Sequence, residues 1–151
     1  MPVIHISAPV GAVRPEQQAD VLQGVTAAVF AWSGLPDTPQ AWATLRTYLA
    51  EYAPTTSAIG GVVQQAHDAP HYEVSVTMPT GWLNTVRKQG MIDAVTRALL
   101  EAIATPFDES SRFRVRCLIP EIPDGNWGSG GYALPLSAIA AALGVEPTSL
   151  V

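Results

Sequence analysis

The chain has 151 residues, of which 48% are apolar and only 14% charged, and this balance excludes an intrinsically disordered protein. Eight Lys and Arg against 13 Asp and Glu give a net charge of −5, which argues against binding to a nucleic-acid backbone. One cysteine, Cys117, and three scattered histidines fit neither an internal disulfide nor a zinc site. The apolar runs are short and the start of the chain is not basic, so we expect a cytoplasmic protein without a membrane partner.

The first half of the chain predicts a strand, a helix and a second strand. Residues 2–8 form a short apolar strand that ends before a Pro- and Gly-rich turn. Residues 16–32 carry apolar side chains at helical spacing, with Pro15 at the start and Gly34 after the end. Residues 43–50 alternate in polarity, which indicates a half-buried strand.

The second half repeats this order. A strand is predicted at 72–78, a helix at 85–104 and a strand at 113–119, and a short helix follows at 135–143. A shift of 70 residues aligns the halves at a helical triplet and at four positions in or after the second strand. The aligned positions are 24–26 with 94–96, Arg46 with Arg116, Glu51 with Glu121, Gly60 with Gly130, and Gly61 with Gly131. We therefore expect one domain over 1–151, with pseudo-repeats at about 1–65 and 70–131 and a helical segment at 132–151.

Two such units predict an α+β fold in which duplicated β-α-β units form a four-stranded sheet with two helices on one face. Alternation along the second strand of each half points one set of side chains at the helices. That set is Leu45, Thr47, Leu49, Val115, Cys117 and Ile119. Arg46 and Arg116 then lie on the opposite face, which no helix of this chain covers, so we expect the protein to oligomerise through it.

The order of several short motifs resembles the tautomerase superfamily, and 4-oxalocrotonate tautomerase in particular. The chain opens with Met1-Pro2, carries Arg116 in the last strand and Glu121 at its end, and continues with Trp127 and a Gly-Ser-Gly-Gly turn. The first half repeats the Arg, the Glu and the Gly-Gly pair. Its overall pattern is similar to that of the fused two-copy members, such as malonate semialdehyde decarboxylase and cis-3-chloroacrylic acid dehalogenase.

The resemblance implies a homotrimer that needs neither cofactor nor metal and uses an N-terminal proline on a small 2-oxo acid. Removal of Met1 would expose the secondary amine of Pro2, and burial and a neighbouring cation both favour the neutral form of such an amine. Neutral Pro2 would act as a general base, and Arg116 would hold a carboxylate or enolate oxygen. The remaining candidates for substrate binding are Trp127, Arg46, Arg14 and Trp82.

The reaction stays open among three alternatives. A keto–enol tautomerase acting on a 2-hydroxydienoate or phenylenolpyruvate-like compound is favoured, because residues 78–83 lack the arginine pair that the fused decarboxylase and dehalogenase carry before their second helix. A decarboxylase or a hydratase/dehalogenase would instead use protonated Pro2 as a general acid. A retained Met1 would turn the Pro2 nitrogen into an amide and leave a non-catalytic oligomeric binding protein.

Overall fold

The computed structural model describes residues 1–146, and the elements of its first half are two strands around a long helix, followed by a hairpin. Strand β1 (Val3–Pro9) leads through a 3-10 turn at Pro15–Gln17 into α1 (Gln18–Ser33). The short helix α2 (Pro39–Trp42) precedes β2 (Arg46–Tyr52). A second 3-10 turn at Pro54–Thr56 leads into the hairpin strands β3 (Ala58–Ile59) and β4 (Val62–Val63).

The second half has the same order of elements and adds a helix. It comprises β5 (Tyr72–Pro79), α3 (Thr85–Ala102), α4 (Glu109–Arg112), β6 (Val115–Leu118), β7 (Glu121–Ile122), the hairpin strands β8 (Trp127–Ser129) and β9 (Tyr132–Leu134), and α5 (Leu136–Ala142). The helix expected at 135–143 is therefore present as α5, and residues 147–151 of the expected segment 132–151 lie outside the described residues.

The main sheet has the strand order β2-β1-β5-β6. Within each half the two strands are parallel, whereas β1 and β5 run antiparallel and join the halves. The mixed α+β class is confirmed. The sheet differs from the expected four strands by one addition, because the chain leaves the ladder at Ile119 and Pro120 and returns as β7, which also pairs with β5.

The core lies between this sheet and the two long helices. On the helix-facing side of the central strands, Ile4, Ile6, Val74 and Val76 are fully buried. Their partners are apolar side chains of α1 and α3, namely Val21, Val25, Val29, Met91, Val95 and Leu99. Each such side chain contributes about 1.5–3 kcal/mol when it is fully buried. This layer therefore fixes the sheet against the helix pair.

The second strand of each half faces the helices as the alternation predicted. The Thr47 hydroxyl lies 2.5 Å from that of Thr26 on α1, and Cys117 packs against the core, where burial raises the pKa of its thiol to about 11. On the other side of the sheet, Arg46 and Arg116 are exposed, and the His5 and Tyr48 rings stack at 5.1 Å. No helix of the described chain covers this face.

The strand predicted at 43–50 begins later than expected. Residues 43–45 continue the helical turns of α2, which the Thr38 side chain caps by accepting a hydrogen bond from the Ala41 amide. The matching helix α4 is capped in the same way by Asp108. Both caps are ordinary helix N-terminal signals, but a four-residue helix has too few turns to show a period.

Among residues 1–146, no helix has the length and apolar character needed to cross a membrane.

Two helical glycines give a matched test of the packing between α1 and α3. A Cβ on Gly90 would lie 2.3 Å from the Trp32 ring, whereas a Cβ on Gly24 would lie 3.8 Å from the nearest atom, the Ala98 carbonyl oxygen. Gly90→Ala is expected to lower the free energy of unfolding by about 1–3 kcal/mol through overpacking. Gly24→Ala is expected to raise it by about 0.5–1 kcal/mol through helix propensity.

Urea unfolding of both variants beside the unsubstituted protein measures these changes. Stabilisation by Gly90→Ala equal to that by Gly24→Ala would show that the Trp32 ring does not pack on Gly90.

Candidate active site

The first two residues of the chain are buried beside the start of β2. Pro2 immediately precedes β1, and its carbonyl accepts a hydrogen bond from the Arg46 amide at 3.1 Å. The Met1 side chain is 8% exposed, and the Met1 amine donates to the Thr44 carbonyl at 2.5 Å. The N-terminus is thus fixed within the fold by backbone hydrogen bonds.

This position lowers the pKa of a terminal amine. Burial is the larger cause and the Arg46 guanidinium is the second, and together they bring the pKa of the Met1 amine from 8.0 to about 5. A charged amine loses hydration on burial and is repelled by a neighbouring cation, so the neutral form is favoured. An amine at this end of the chain is therefore a free base at neutral pH.

Arg46 lies beside this amine with part of its guanidinium available. Its Nη1 group donates to the carbonyls of Ala43 and Leu45, at 2.6 and 3.1 Å. Within residues 1–146, Nε and Nη2 have no hydrogen-bond partner. These two donors form the fork that binds a carboxylate through two parallel hydrogen bonds. Arg46 can thus fix an acid group close to the N-terminus.

An ion pair lies one strand further along the same end of the sheet. Val3 is opposite Thr77 on β5, and the next residue of β5, Met78, pairs with Glu121 of β7. The Glu121 carboxylate contacts Lys88 of α3 at 2.9 Å, and both side chains are about one-third exposed. Lys88 is a residue that the sequence prediction missed, because nothing in the spacing of α3 indicates its reach to β7.

Trp127 lies at this end as well. It opens β8, pairs with Leu134 of β9, and packs half-buried against the core. The hairpin follows β7 directly, and the Asp124 carboxylate anchors its far side by accepting the Leu136 amide at 2.6 Å. Gly130 and Gly131 make its turn with φ of 60° and 85°, which a residue with a Cβ rarely adopts.

Arg116 and Arg14 lie elsewhere in the protomer. Arg116 pairs with Glu73, and Glu73 pairs with Ser7, so Arg116 is at the far end of the sheet from Pro2. The part of β1 between Pro2 and Ser7 alone spans roughly 17 Å. Arg14 follows the far end of β1, where its Nε donates to Glu16 at 2.7 Å. One protomer therefore brings Pro2 together with Arg46, and not with Arg116 or Arg14.

Trp82 is a core residue in this structure. It is fully buried, and its indole nitrogen donates to the Ser33 carbonyl at the end of α1, at 2.8 Å. Its hydrogen-bonding capacity is satisfied inside the protein, so it offers no surface to a substrate. No set of three His, Cys, Asp or Glu side chains within residues 1–146 is arranged to hold a metal ion.

The buried amine predicts a specific pH dependence. In a chain that begins at Met1, the amine should titrate near pH 5, because burial and Arg46 lower its pKa, whereas the unfolded chain keeps a pKa near 8.0. The unfolded state then binds more protons between these values, so the free energy of unfolding should fall as the pH is lowered from about 8 to about 5.

An NMR pH titration of selectively labelled Met1 measures the pKa directly, and urea unfolding at several pH values measures the stability. Arg46→Gln should raise the pKa of the amine yet leave it below 8.0, because burial is the larger cause. A midpoint near 8 in the folded unsubstituted protein would contradict this electrostatic account.

Comparison with known proteins gives a structural likeness only. No protein-family profile and no curated protein sequence matches the chain. The F6 fused 4-OT wild-type asymmetric trimer matches with a TM-score of 0.71 and 22% identity, over 92% of this chain and 98% of that one. Pt0534 inactivated by 2-oxo-3-pentynoate matches with a TM-score of 0.72 and 21% identity, over 91% and 98%.

N1, a member of the cis-3-chloroacrylic acid dehalogenase family, matches with a TM-score of 0.69 and 16% identity, over 88% of this chain and 83% of that one. The likeness extends along nearly the whole of the fused 4-OT chains, including both halves of the sheet. The chain therefore has the fold of the tautomerase superfamily, as its motifs predicted.

Proposed function

We propose that this protein is a cofactor-independent keto–enol tautomerase that acts on a small 2-hydroxydienoate or phenylenolpyruvate-like 2-oxo acid. The observation that carries the proposal is the buried N-terminus beside Arg46, where the pKa of a terminal amine falls to about 5. Removal of Met1 would put the secondary amine of Pro2 next to the same cation. A neutral amine there is a general base at physiological pH.

The chemistry is a balanced isomerisation. The Pro2 nitrogen takes the proton of the enol hydroxyl, the electron pair moves through the C=C bond, and the protonated amine returns a proton to carbon to give the 2-oxo acid. The free Nε and Nη2 donors of Arg46 bind the carboxylate and stabilise charge on the neighbouring oxygen. Trp127 forms an apolar wall at this end and limits the entry of water.

The neighbours in fold support this substrate class. Pt0534 is inactivated by 2-oxo-3-pentynoate, which is a 2-oxo acid with an electrophilic triple bond. A neutral amine that recognises a 2-oxo acid would add to such a bond. The same reagent therefore reports both substrate recognition and a free amine in this protein.

A homotrimer is part of the proposal, because F6 fused 4-OT is a trimer and one face of this sheet is uncovered. Arg116 is exposed and has no hydrogen-bond partner within the described residues. It lies too far from Pro2 of its own chain to share a substrate with it. We therefore assign Arg116 to the Pro2 pocket of a neighbouring copy, while Arg46 serves its own chain.

A decarboxylase or hydratase/dehalogenase is the second candidate, since N1 shares the fold and Glu121 is a carboxylate near the N-terminus. It ranks lower for two reasons. Glu121 is already ion-paired with Lys88, and the loop after β5 lacks the arginine pair of those enzymes. A retained Met1 would favour a binding protein instead, because an amide nitrogen is not a base.

Loss of the free proline amine tests the proposed base. Ketonisation of phenylenolpyruvate is expected to fall by about 10²- to 10⁴-fold in Pro2→Ala, which is the usual contribution of a positioned general base. A version with an uncleaved N-terminal extension keeps the proline ring but makes its nitrogen an amide, and it should be equally impaired. Intact mass must first establish that Met1 is absent from the active sample.

Incubation with 2-oxo-3-pentynoate should add one reagent mass to the Met1-free protein and none to the extended version. Unchanged ketonisation in Pro2→Ala would overturn the proposed mechanism. An amine that remains charged at pH 8 would favour the general-acid alternative.

Mixed oligomers test whether the pocket combines two chains. Pro2→Ala and Arg116→Gln chains, refolded together, should regain activity that neither has alone, because an intact Pro2 then meets an intact Arg116 from the neighbour. Pro2→Ala mixed with Arg46→Gln should regain none, because these two residues serve the same pocket from one chain. Rescue in the second mixture and not in the first would reverse the assignment of the two arginines.

A further inference from the structure

A second cavity lies at the opposite end of the sheet from Pro2. It has a volume of about 680 Å³ and lies between the turn after β1, the end of β2 and the segment at 64–72. Cavities that bind small molecules measure about 300–1,000 Å³. A smaller cavity of about 180 Å³ adjoins it and shares the Tyr52, His71, Tyr72 and Arg114 walls. The protein thus has room for a small organic ligand away from its N-terminus.

The repeat explains why this cavity exists. Val3 pairs with Arg46 in the first half, and Glu73 pairs with Arg116 in the second, so a shift of 70 residues superimposes the two ladders. Tyr72 consequently occupies the position of Pro2. Its backbone nitrogen is an amide that donates to the Arg114 carbonyl at 2.8 Å. The cavity repeats the surroundings of the N-terminus without supplying a basic amine.

Cations concentrate at this cavity although the chain carries a net charge of −5. Arg14 and Arg114 line it, and Arg116 lines the adjoining one, which accounts for three of the eight Lys and Arg residues. The two terminal nitrogens of Arg14 have no hydrogen-bond partner within residues 1–146. Arg114 is held in place by hydrogen bonds from Nη1 to the Pro70 carbonyl and from Nη2 to Ser111.

The carboxylates on the walls offset only part of this charge. Asp68 lines the larger cavity and accepts a hydrogen bond from the Gln65 amide at 2.7 Å, and Glu73 lines the smaller one. The remaining wall includes the apolar side chains of Ile59 and Ile103. A ligand that fits this arrangement has an acidic end and an apolar body.

We propose that this cavity is a binding site for a small organic anion with carboxylate groups, held by Arg14 and Arg114 at its acidic end and by Ile59 and Ile103 along its body. The site binds without turning the ligand over, because Tyr72 stands where the catalytic amine would be. The proposal does not depend on the Pro2 mechanism.

Calorimetric titration with phthalate tests the site, because this aromatic dicarboxylate has no enolisable proton and cannot be consumed. Arg14→Gln and Arg114→Gln should each weaken phthalate binding by about tenfold, the effect of losing a charge-assisted hydrogen bond. Arg97→Gln removes the same charge from the exposed Arg97–Asp93 pair on α3 and should leave phthalate binding unchanged. Benzyl alcohol, which lacks the carboxylates, should bind at least about tenfold more weakly than phthalate.

Arg46→Gln separates the two ends of the sheet. Binding that survives Arg46→Gln but weakens in Arg14→Gln locates phthalate in this cavity. Binding lost in Arg46→Gln and retained in Arg14→Gln and Arg114→Gln would place phthalate at the N-terminus and overturn the proposal. Absence of phthalate binding to the folded, unsubstituted protein would overturn it as well. Arg14 is exposed with only Glu16 as a partner, so its variant should fold even if Arg114→Gln does not.

Discussion

The antiparallel pairing of β1 with β5 is the constraint on which the rest of the molecule depends. Each half contributes a parallel strand pair, and a parallel pair buries its apolar face only when a helix covers it. Joining the halves through two antiparallel central strands places both long helices on one side and both outer strands at the edges. It also points the first residues of the two halves toward opposite ends of the sheet.

This geometry gives the chain two related ends with different chemistry. At one end the N-terminus is buried beside Arg46, and a terminal amine there is neutral at physiological pH. At the other end the corresponding residue is Tyr72, whose nitrogen belongs to the backbone ladder. A duplicated fold provides two pockets of similar shape, but a chain has only one N-terminus. Loss of the base in the second half therefore follows from fusion itself, whereas the cations around Tyr72 are free to serve a different ligand.

The strands and long helices could be predicted because their periods of two and 3.6 residues extend over several turns or pleats. The four-residue helices α2 and α4 could not be predicted from periodicity, and only the Thr38 and Asp108 caps mark them. The site was predicted less completely. Motif spacing treats Arg46 and Arg116 as equivalent, and only the strand order shows which of them lies beside Pro2 in the same protomer. Trp82 lies in a Gly-containing turn, a context typical of a surface residue, yet its indole reaches a carbonyl on α1.

Burial of Met1 has a consequence for the timing of maturation. Its side chain is 8% exposed and its amine is bonded to Thr44 within the finished fold, so a peptidase has no access to the Met1–Pro2 bond there. β2 begins at Arg46, and β1 cannot pair with it until that part of the chain has left the ribosome. Excision of the initiator residue therefore belongs to the interval of synthesis before these strands pair. Whether a given molecule carries a reactive amine is decided during translation, by a competition between the peptidase and folding.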